Sequence, residues 1–250
     1  MTAVRGGTLL GGRVLYDQLL EGHRTGIEPV LLAASVPARA GERVLEAGTG
    51  AGAGLLCLAA RVAGVAGIGV EQDATLAALA RANAAANGFD SVSIETGDVL
   101  AMAAGPPVDH VMANPPWHLA ASTRSEDALR DSAKRGRPGL VHEWTAALAT
   151  RLRSRGTLTL ILPARATTEA LAALAAARCG SQALLPLWPG AGREARIVLI
   201  QAIRDGRGGC RVLPGLMLHG ADQAFTPAAE AILRDGAALP FAVQTADRAP

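Results

Sequence analysis

The 250-residue chain contains very little lysine and very little cysteine. Lys134 is its only lysine, so arginine supplies nearly all of the basic charge, a usage that together with abundant alanine and glycine is typical of a GC-rich genome. Its three cysteines, Cys57, Cys179 and Cys210, are odd in number and far apart. This spacing fits neither a zinc site nor a disulfide framework, so we predict no bound metal and a reducing cellular compartment.

Net charge and long apolar segments are also scarce. With 24 basic and 22 acidic residues the formal net charge is only +2, so a nucleic acid would have to bind a local patch rather than a general positive field. No run of about 18 uncharged apolar residues occurs, and residues 1–7 carry no apolar signal core. We therefore predict a cytoplasmic protein that neither spans a membrane nor is exported.

What the chain does have is a regular alternation of short apolar runs with helical segments. Such alternation is typical of a doubly wound, mostly parallel α/β sheet. The runs predict seven sheet strands, at residues 43–47, 66–71, 91–95, 108–113, 157–162, 183–188 and 195–202. Helices are expected at residues 28–36, 55–62, 141–153 and 167–178, together with one that Asp73 caps and that ends at Asn87-Gly88.

Both ends of the chain are predicted to extend this core. Residues 8–20 have the pattern of a small hairpin that turns at Gly11-Gly12, whereas residues 212–219 look extended and residues 227–234 helical. No internal repeat and no linker interrupts the sequence. We predict one domain over residues 1–250, with residues 1–25 as a hairpin extension and residues 26–250 as the core with its C-terminal elements.

A glycine-rich turn follows the first predicted strand of the sheet. Gly48, Gly50 and Gly52 lie between that strand and the next helix, and glycines let a backbone turn sharply and approach a ligand closely. A dinucleotide dehydrogenase has a similar turn, but here the strand ends in Glu46, whose carboxylate would repel an anionic pyrophosphate. A ligand with a cationic sulfonium and an amino group is compatible with this acid.

Acidic residues also follow the second and third strands. Glu71 closes the second strand, where a carboxylate can accept hydrogen bonds from ribose hydroxyls. Asp98 follows the third strand, where it suits an adenine amine. Each acid alone is common as a solvated strand end, but open α/β sheets bind ligands at the carboxyl ends of their strands. We therefore interpret the series as one site.

The fourth strand ends in the motif Asn114-Pro115-Pro116-Trp117. Its two prolines stop the strand, because neither can donate to a sheet ladder, and they stiffen the backbone. The Asn114 amide and the Pro115 carbonyl offer two acceptors, and Trp117 offers a flat stacking surface. Two acceptors beside an aromatic plate suit a planar –NH2 group, such as a base amine or a carboxamide.

These motifs together resemble those of the class I S-adenosylmethionine-dependent methyltransferases that methylate planar nitrogens, a group with a Rossmann-like fold. The resemblance rests on Glu46, Gly48, Gly50, Gly52, Glu71, Asp98 and Asn114-Pro115-Pro116-Trp117. More narrowly, the chain resembles the bacterial tRNA adenine-N6 methyltransferases, which modify the adenosine beside the anticodon of a valine tRNA. That narrower likeness rests on residues 9–14, 22–24 and 31–34.

The resemblance implies S-adenosylmethionine as the cofactor and gives each acid a role. Glu46 and the glycine turn would hold the methionine part, Glu71 the ribose and Asp98 the adenine amine. Since positioning of two bound reactants supplies most of the rate in such a transfer, no strong general base is expected.

The same resemblance implies a tRNA substrate, and we expect the enzyme to be a monomer. Asn114 and the Pro115 carbonyl would accept hydrogen bonds from the target –NH2, with Pro116 and Trp117 completing the catalytic motif. Trp117 would stack on a base flipped out of its helix or loop. His118, although adjacent, is interpreted as a packing or solvent residue, and Trp144 and Trp188 as core residues.

A long polar stretch, residues 122–138, interrupts the strand–helix rhythm and is a candidate RNA contact. Its basic residues could meet phosphates, but acidic residues lie among them, so a solvated loop is an equally good interpretation. The candidate contacts are Arg124, Arg130, Lys134, Arg135 and Arg137.

Three other functions remain open at the level of the sequence. Enzymes that methylate glutamine in release factors share Asn-Pro-Pro plus an aromatic residue, although they usually carry a helical N-terminal domain that the short N-terminus here does not resemble. Methylation of a guanine amine in ribosomal RNA is a second alternative. A cofactor-binding module without catalysis is a third, against which the intact acidic and Asn114 positions argue.

Overall fold

An antiparallel hairpin precedes the sheet in the computed structural model, which describes residues 3–21, 25–102, 105–116, 139–239 and 241. Strand β1 (Val4–Leu9) pairs with β2 (Val14–Leu19), and a 3-10 turn, Leu10–Gly12, joins them. The sequence predicts this turn but places the start of the hairpin at residue 8. The strand begins earlier, at Val4, because the backbone of residues 5–7 also pairs with β2. The sequence does not indicate this start, since residues 5–7 lack the apolar alternation that identifies a strand.

The seven predicted sheet strands are all present, and their doubly wound arrangement is confirmed. In spatial order they run β8-β9-β7-β6-β3-β4-β5, with only β9 antiparallel to its neighbours. Two short strands from the predicted extended tail also pair with β8, so this sheet has nine strands within the described residues. The strands are β3 (Arg43–Ala47), β4 (Ala66–Glu71), β5 (Val92–Thr96), β6 (Val108–Ala113), β7 (Leu152–Pro163), β8 (Cys179–Trp188), β9 (Ile197–Arg204), β10 (Arg211–Val212) and β11 (Leu216–Met217).

Helices connect these strands and cover both faces of the sheet. They are α1 (Glu28–Ser35), α2 (Ala53–Arg61), α3 (Ala74–Ala86), α4 (Leu140–Ala149), α5 (Thr167–Ala176) and α6 (Pro227–Leu233). Several boundaries differ from the sequence prediction. Strands β7 and β8 begin earlier, at Leu152 and Cys179 rather than at residues 157 and 183, and α4 ends at Ala149 rather than near residue 153. The chain leaves the helix early so that the Arg151 carbonyl can accept from the Val108 amide and β7 can begin at Leu152.

Two hydrophobic clusters lie on opposite faces of the sheet. Helices α1, α2, α3 and α6 pack on one face, where Leu31 and Leu56 are fully buried. Helices α4 and α5 pack on the other, where Leu148 and Leu174 are fully buried. Because both faces are covered, the central strands can be apolar throughout, and the sheet is left open for a ligand mainly at its strand ends.

Helix α3 begins with a side-chain cap that offers a test of the fold. The Asp73 carboxylate accepts hydrogen bonds from the Thr75 and Leu76 amides at 2.8 and 3.1 Å. Asp73→Ala is expected to lower the free energy of unfolding by about 1 kcal/mol, measured by urea denaturation, because two helix amides lose their acceptor. Asp73→Asn keeps an acceptor oxygen and is expected to unfold close to the parent. Equal losses in both variants would contradict the capping role.

Candidate active site

The carboxyl ends of β3, β4 and β6 meet at one edge of the sheet. In the pairing register Ala47 on β3 lies between Val70 on β4 and Ala113 on β6. The residues that directly follow these strand ends line one shared cavity of about 520 Å³. The predicted site residues that line this cavity are Glu46, Gly48, Gly50, Glu71, Asp98, Asn114, Pro115 and Pro116.

The glycine turn adopts a backbone conformation that favours glycine at each of its three predicted positions. Gly48, Gly50 and Gly52 have φ angles of 67°, 57° and 94°. Residues with a side chain rarely adopt these angles, so the turn depends on glycine. Gly48 and Gly50 line the cavity, whereas Gly52 caps the start of α2 and packs against Leu56 and Ala80.

Glu46 is a buried acid at the floor of this turn, with only 4% of its surface exposed. One carboxylate oxygen accepts from the Thr49 hydroxyl and, at 2.9 Å, from the Leu55 amide in the first turn of α2. The other oxygen lies over Gly54, where a Cβ would be 2.1 Å away. Burial, with a smaller contribution from the nearby Glu71 charge, raises the pKa of Glu46 to about 7 against the lowering effect of these two hydrogen bonds.

Glu71 ties the glycine turn to the end of β4. Its two carboxylate oxygens accept from the Gly50 and Asp73 amides, each at 2.9 Å. The side chain is 7% exposed and lines the cavity. These two bonds fix the carboxylate in place. Each oxygen keeps a second lone pair, so the carboxylate can still accept a hydrogen bond from a ligand hydroxyl.

Asp98 and Asn114 are the exposed polar groups among the predicted site residues. Asp98 follows β5, and its carboxylate accepts from the Leu100 amide at 2.9 Å. Asn114 follows the buried end of β6 and is itself exposed to the cavity, while Pro115 behind it is buried. The fully buried Met112 and Ala113 anchor this segment in the core. A rigid strand therefore carries the Asn114 amide to the cavity.

Several sequence predictions fall on residues outside the described ranges. They concern the stacking residue Trp117, the neighbouring His118 and the candidate RNA contacts at Arg124, Arg130, Lys134, Arg135 and Arg137. The motif at residues 22–24 lies outside them as well.

The cavity residues that the sequence did not predict include Tyr16, Thr25 and Trp144. Tyr16 on β2 and Thr25 both line the cavity, and their hydroxyls share a hydrogen bond of 2.8 Å. Trp144 on α4 was assigned to the core, and it does pack there, but its ring also lines the cavity and lies 3.1 Å from where a Cβ of Gly48 would be. The hairpin and α4 thus form two walls that local sequence patterns do not reveal.

Two kinds of feature are missing from the described part of the chain. No cluster of three or more His, Cys, Asp or Glu side chains is arranged there to hold a metal ion. None of the helices within the described ranges has the length and apolar character needed to cross a membrane.

An open parallel sheet with a glycine turn after one strand and an acid at the end of the next is the arrangement of proteins that bind nucleoside-containing ligands. Residues 27–174 match the family described as methyltransferase small domain. Because the match spans more than half of the chain, this protein belongs to that family.

Solved structures give the same fold. The chain is similar to Atu636 of Agrobacterium tumefaciens, described as a predicted O-methyltransferase, with a TM-score of 0.70 and 26% identity over 85% of this chain and 98% of that one. It is similar in fold to the S-adenosylmethionine-dependent O-methyltransferase TM0748 of Thermotoga maritima, with a TM-score of 0.54 and 17% identity over 75% of this chain and 68% of that one. A geranyl diphosphate methyltransferase in complex with S-adenosylmethionine shares the fold, with a TM-score of 0.51 and 18% identity over 70% of this chain and 82% of that one. No curated protein matches the sequence.

Proposed function

We propose that this methyltransferase transfers a methyl group to the exocyclic N6 amine of an adenosine in tRNA, near the anticodon. The observation that carries the proposal is Asn114, which a buried strand end presents to the cavity beside the glycine turn. Its side-chain oxygen and the Pro115 carbonyl are two acceptors on a stiff Asn-Pro-Pro backbone, which matches the two N–H donors of a planar amine.

The cofactor is S-adenosylmethionine, the methyl donor of this class of enzyme, and the residues around the cavity fit it. A buried carboxylate with a raised pKa, such as Glu46, is stabilised by a cationic ligand, and the sulfonium and ammonium groups of S-adenosylmethionine are cationic. Glu71 is held where it can accept from ribose hydroxyls, and Asp98 is exposed for an adenine amine. When bound, this cofactor supplies an activated methyl group on sulfur.

The protein's own contribution to the reaction is to hold and orient the target nitrogen. Asn114 and the Pro115 carbonyl accept hydrogen bonds from the two N–H groups of the amine and thereby direct the nitrogen lone pair toward the cofactor side of the cavity. As the nitrogen gains positive charge, these same oxygens stabilise it. Holding both reactants in one cavity supplies most of the remaining rate, and the proton can leave to water after the transfer.

Trp144 gives the cavity an aromatic wall on the side of the glycine turn. An indole ring that lines the same cavity as the Asn114 amide suits a flat, flipped-out base. Stacking of a base on an aromatic side chain is worth about 1–3 kcal/mol. We therefore propose a planar nucleobase, rather than an aliphatic chain, as the group that enters the cavity.

The decisive experiment is transfer of labelled methyl groups from S-adenosylmethionine to unmodified bulk tRNA, ribosomal RNA and a release factor, tested side by side. Nucleoside and amino-acid analysis then identifies the methylated atom. We expect label in tRNA, recovered as N6-methyladenosine. Label recovered as N2-methylguanosine, N5-methylglutamine or an O-methylated nucleoside would each overturn the tRNA adenine assignment. Cofactor binding without label in any of the three would favour a non-catalytic module.

A further inference from the structure

One buried amide connects two walls of the cavity. Asn83 on α3 is 3% exposed and forms three hydrogen bonds. Its Nδ2 donates to the carbonyls of Asp17 and Ala51, each at 2.9 Å, and its Oδ1 accepts from the Asp17 amide at 3.0 Å. The side chain therefore bonds to the hairpin strand β2 and to the glycine turn at the same time.

Both of its partners belong to the cavity wall or lie next to it. Ala51 lines the cavity as part of the glycine turn. Asp17 directly follows Tyr16, which also lines the cavity and whose hydroxyl bonds to Thr25. The Asn83 side chain therefore links the hairpin wall directly to the glycine-turn wall.

Three glycines in a five-residue turn make its backbone costly to order, so a fixed anchor matters there. Glycines lose more conformational freedom on ordering than other residues. The first half of the turn is fixed from β4, where the Gly48 and Thr49 amides donate to the Val70 carbonyl and Gly50 donates to Glu71. In the second half, the Ala51 carbonyl is fixed by Asn83.

We propose that Asn83 is a positioning residue for the cofactor site, which holds the glycine turn in its binding conformation by bonding it to the N-terminal hairpin. This inference rests on the proposed placement of S-adenosylmethionine at the glycine turn. It makes the hairpin part of the cofactor site, although the turn and the hairpin are far apart in sequence. A site that is ordered before the ligand arrives loses less entropy on binding.

The chain contains a matched control four residues further on, at Asn87, which caps the C-terminal end of α3. Asn87 pins the same strand, because its Nδ2 donates to the Leu15 carbonyl at 2.7 Å and its Oδ1 accepts from the Leu15 amide at 2.8 Å. Leu15 is 54% exposed and lies outside the cavity lining within the described residues. Asn87→Ala thus loosens the hairpin and leaves the bond to Ala51 in place.

The test compares Asn83→Ala with Asn87→Ala in three measurements on the full chain. We expect both to lower the unfolding midpoint, since each removes hydrogen bonds to β2. Only Asn83→Ala should speed hydrogen exchange at residues 48–52 in the absence of cofactor. Only Asn83→Ala should weaken S-adenosylmethionine binding, by about tenfold. If Asn83→Ala does not fold, the smaller change Asn83→Ser takes its place.

Two results would overturn the inference. Unchanged exchange at residues 48–52 in a folded Asn83 variant would show that the turn does not depend on this amide. Equal losses of cofactor affinity in the Asn83 and Asn87 variants would assign both residues to hairpin stability alone. If the parent protein itself binds no S-adenosylmethionine, the proposed function fails, while the exchange comparison still decides whether Asn83 orders the turn.

Discussion

Replacing Asn114 by leucine is expected to slow methyl transfer by about 10²–10³-fold at saturating substrate. Leucine has nearly the shape of asparagine but offers no acceptor, so the target amine loses a partner that orients its lone pair and stabilises the charge developing on nitrogen. Cofactor affinity should change by less than about threefold, because the interaction is made with the other reactant. Single-turnover kinetics and calorimetric titration of S-adenosylmethionine measure the two quantities separately.

Asn114→Asp is the matched control for this prediction. It keeps acceptor oxygens at the end of β6, so we expect it to retain more activity than Asn114→Leu. Since Asn114 is exposed to the cavity while Pro115 behind it is buried, neither change should disturb the core. Full activity in Asn114→Leu would rule out the proposed mechanism, and a large loss of cofactor affinity would move Asn114 to the cofactor side of the cavity.

The parts of the fold that were predictable are those fixed by local patterns. The bounds of β3, β4 and β6 were predicted to the residue, because each of these short apolar runs has a clear end. Gly48 follows the first run, the acid Glu71 closes the second, and the Pro115-Pro116 pair stops the third. The start of β1 was missed because residues 5–7 become a strand only by pairing with β2. The end of α4 was missed because a contact with β6, distant in sequence, determines it.

The candidate site was predictable to a similar degree. Acids and glycines at successive strand ends converge because parallel strands share an edge, a rule that needs no coordinates. The approach of Tyr16, Thr25 and Trp144 to the cavity depends on how the hairpin and α4 pack, and no local pattern encodes that packing. Nor could the sequence indicate that Glu46 is buried deeply enough to raise its pKa, even though Thr49 and the Leu55 amide donate hydrogen bonds to one of its oxygens.

Glu46→Gln is expected to change stability and cofactor affinity in opposite directions. In the folded protein burial raises the pKa of Glu46 from 4.5 to about 7, so the folded state binds this proton more tightly than the unfolded state does. The free energy of unfolding is therefore highest below pH 4.5, falls as the pH rises toward 7, and stays low above it. The accumulated loss is about 3 kcal/mol.

Glutamine removes this loss of stability because its side chain does not ionise between pH 4 and pH 8. Its amide oxygen can still accept hydrogen bonds from Thr49 and the Leu55 amide. We expect the variant to be more stable than the parent at pH 8 by up to about 3 kcal/mol, and to match it near pH 4. Urea unfolding at the two pH values measures the difference. A variant that is less stable than the parent at pH 8 would show that Glu46 is ionised at little cost in the folded protein.

Affinity for S-adenosylmethionine should respond in the opposite way, because the cationic cofactor favours the carboxylate. At pH 8 we expect Glu46→Gln to bind it about 10–100-fold more weakly, the usual effect of losing a charged hydrogen-bond partner. In the parent, the dissociation constant should fall about tenfold between pH 6 and pH 8, as a carboxyl with a pKa of about 7 loses its proton. The variant should show only the titration of the cofactor itself, which both proteins share. Equal affinity and equal pH dependence in the two proteins would instead show that Glu46 does not bind the cofactor. Its role would then be to cap the start of α2, where it accepts from the Leu55 amide.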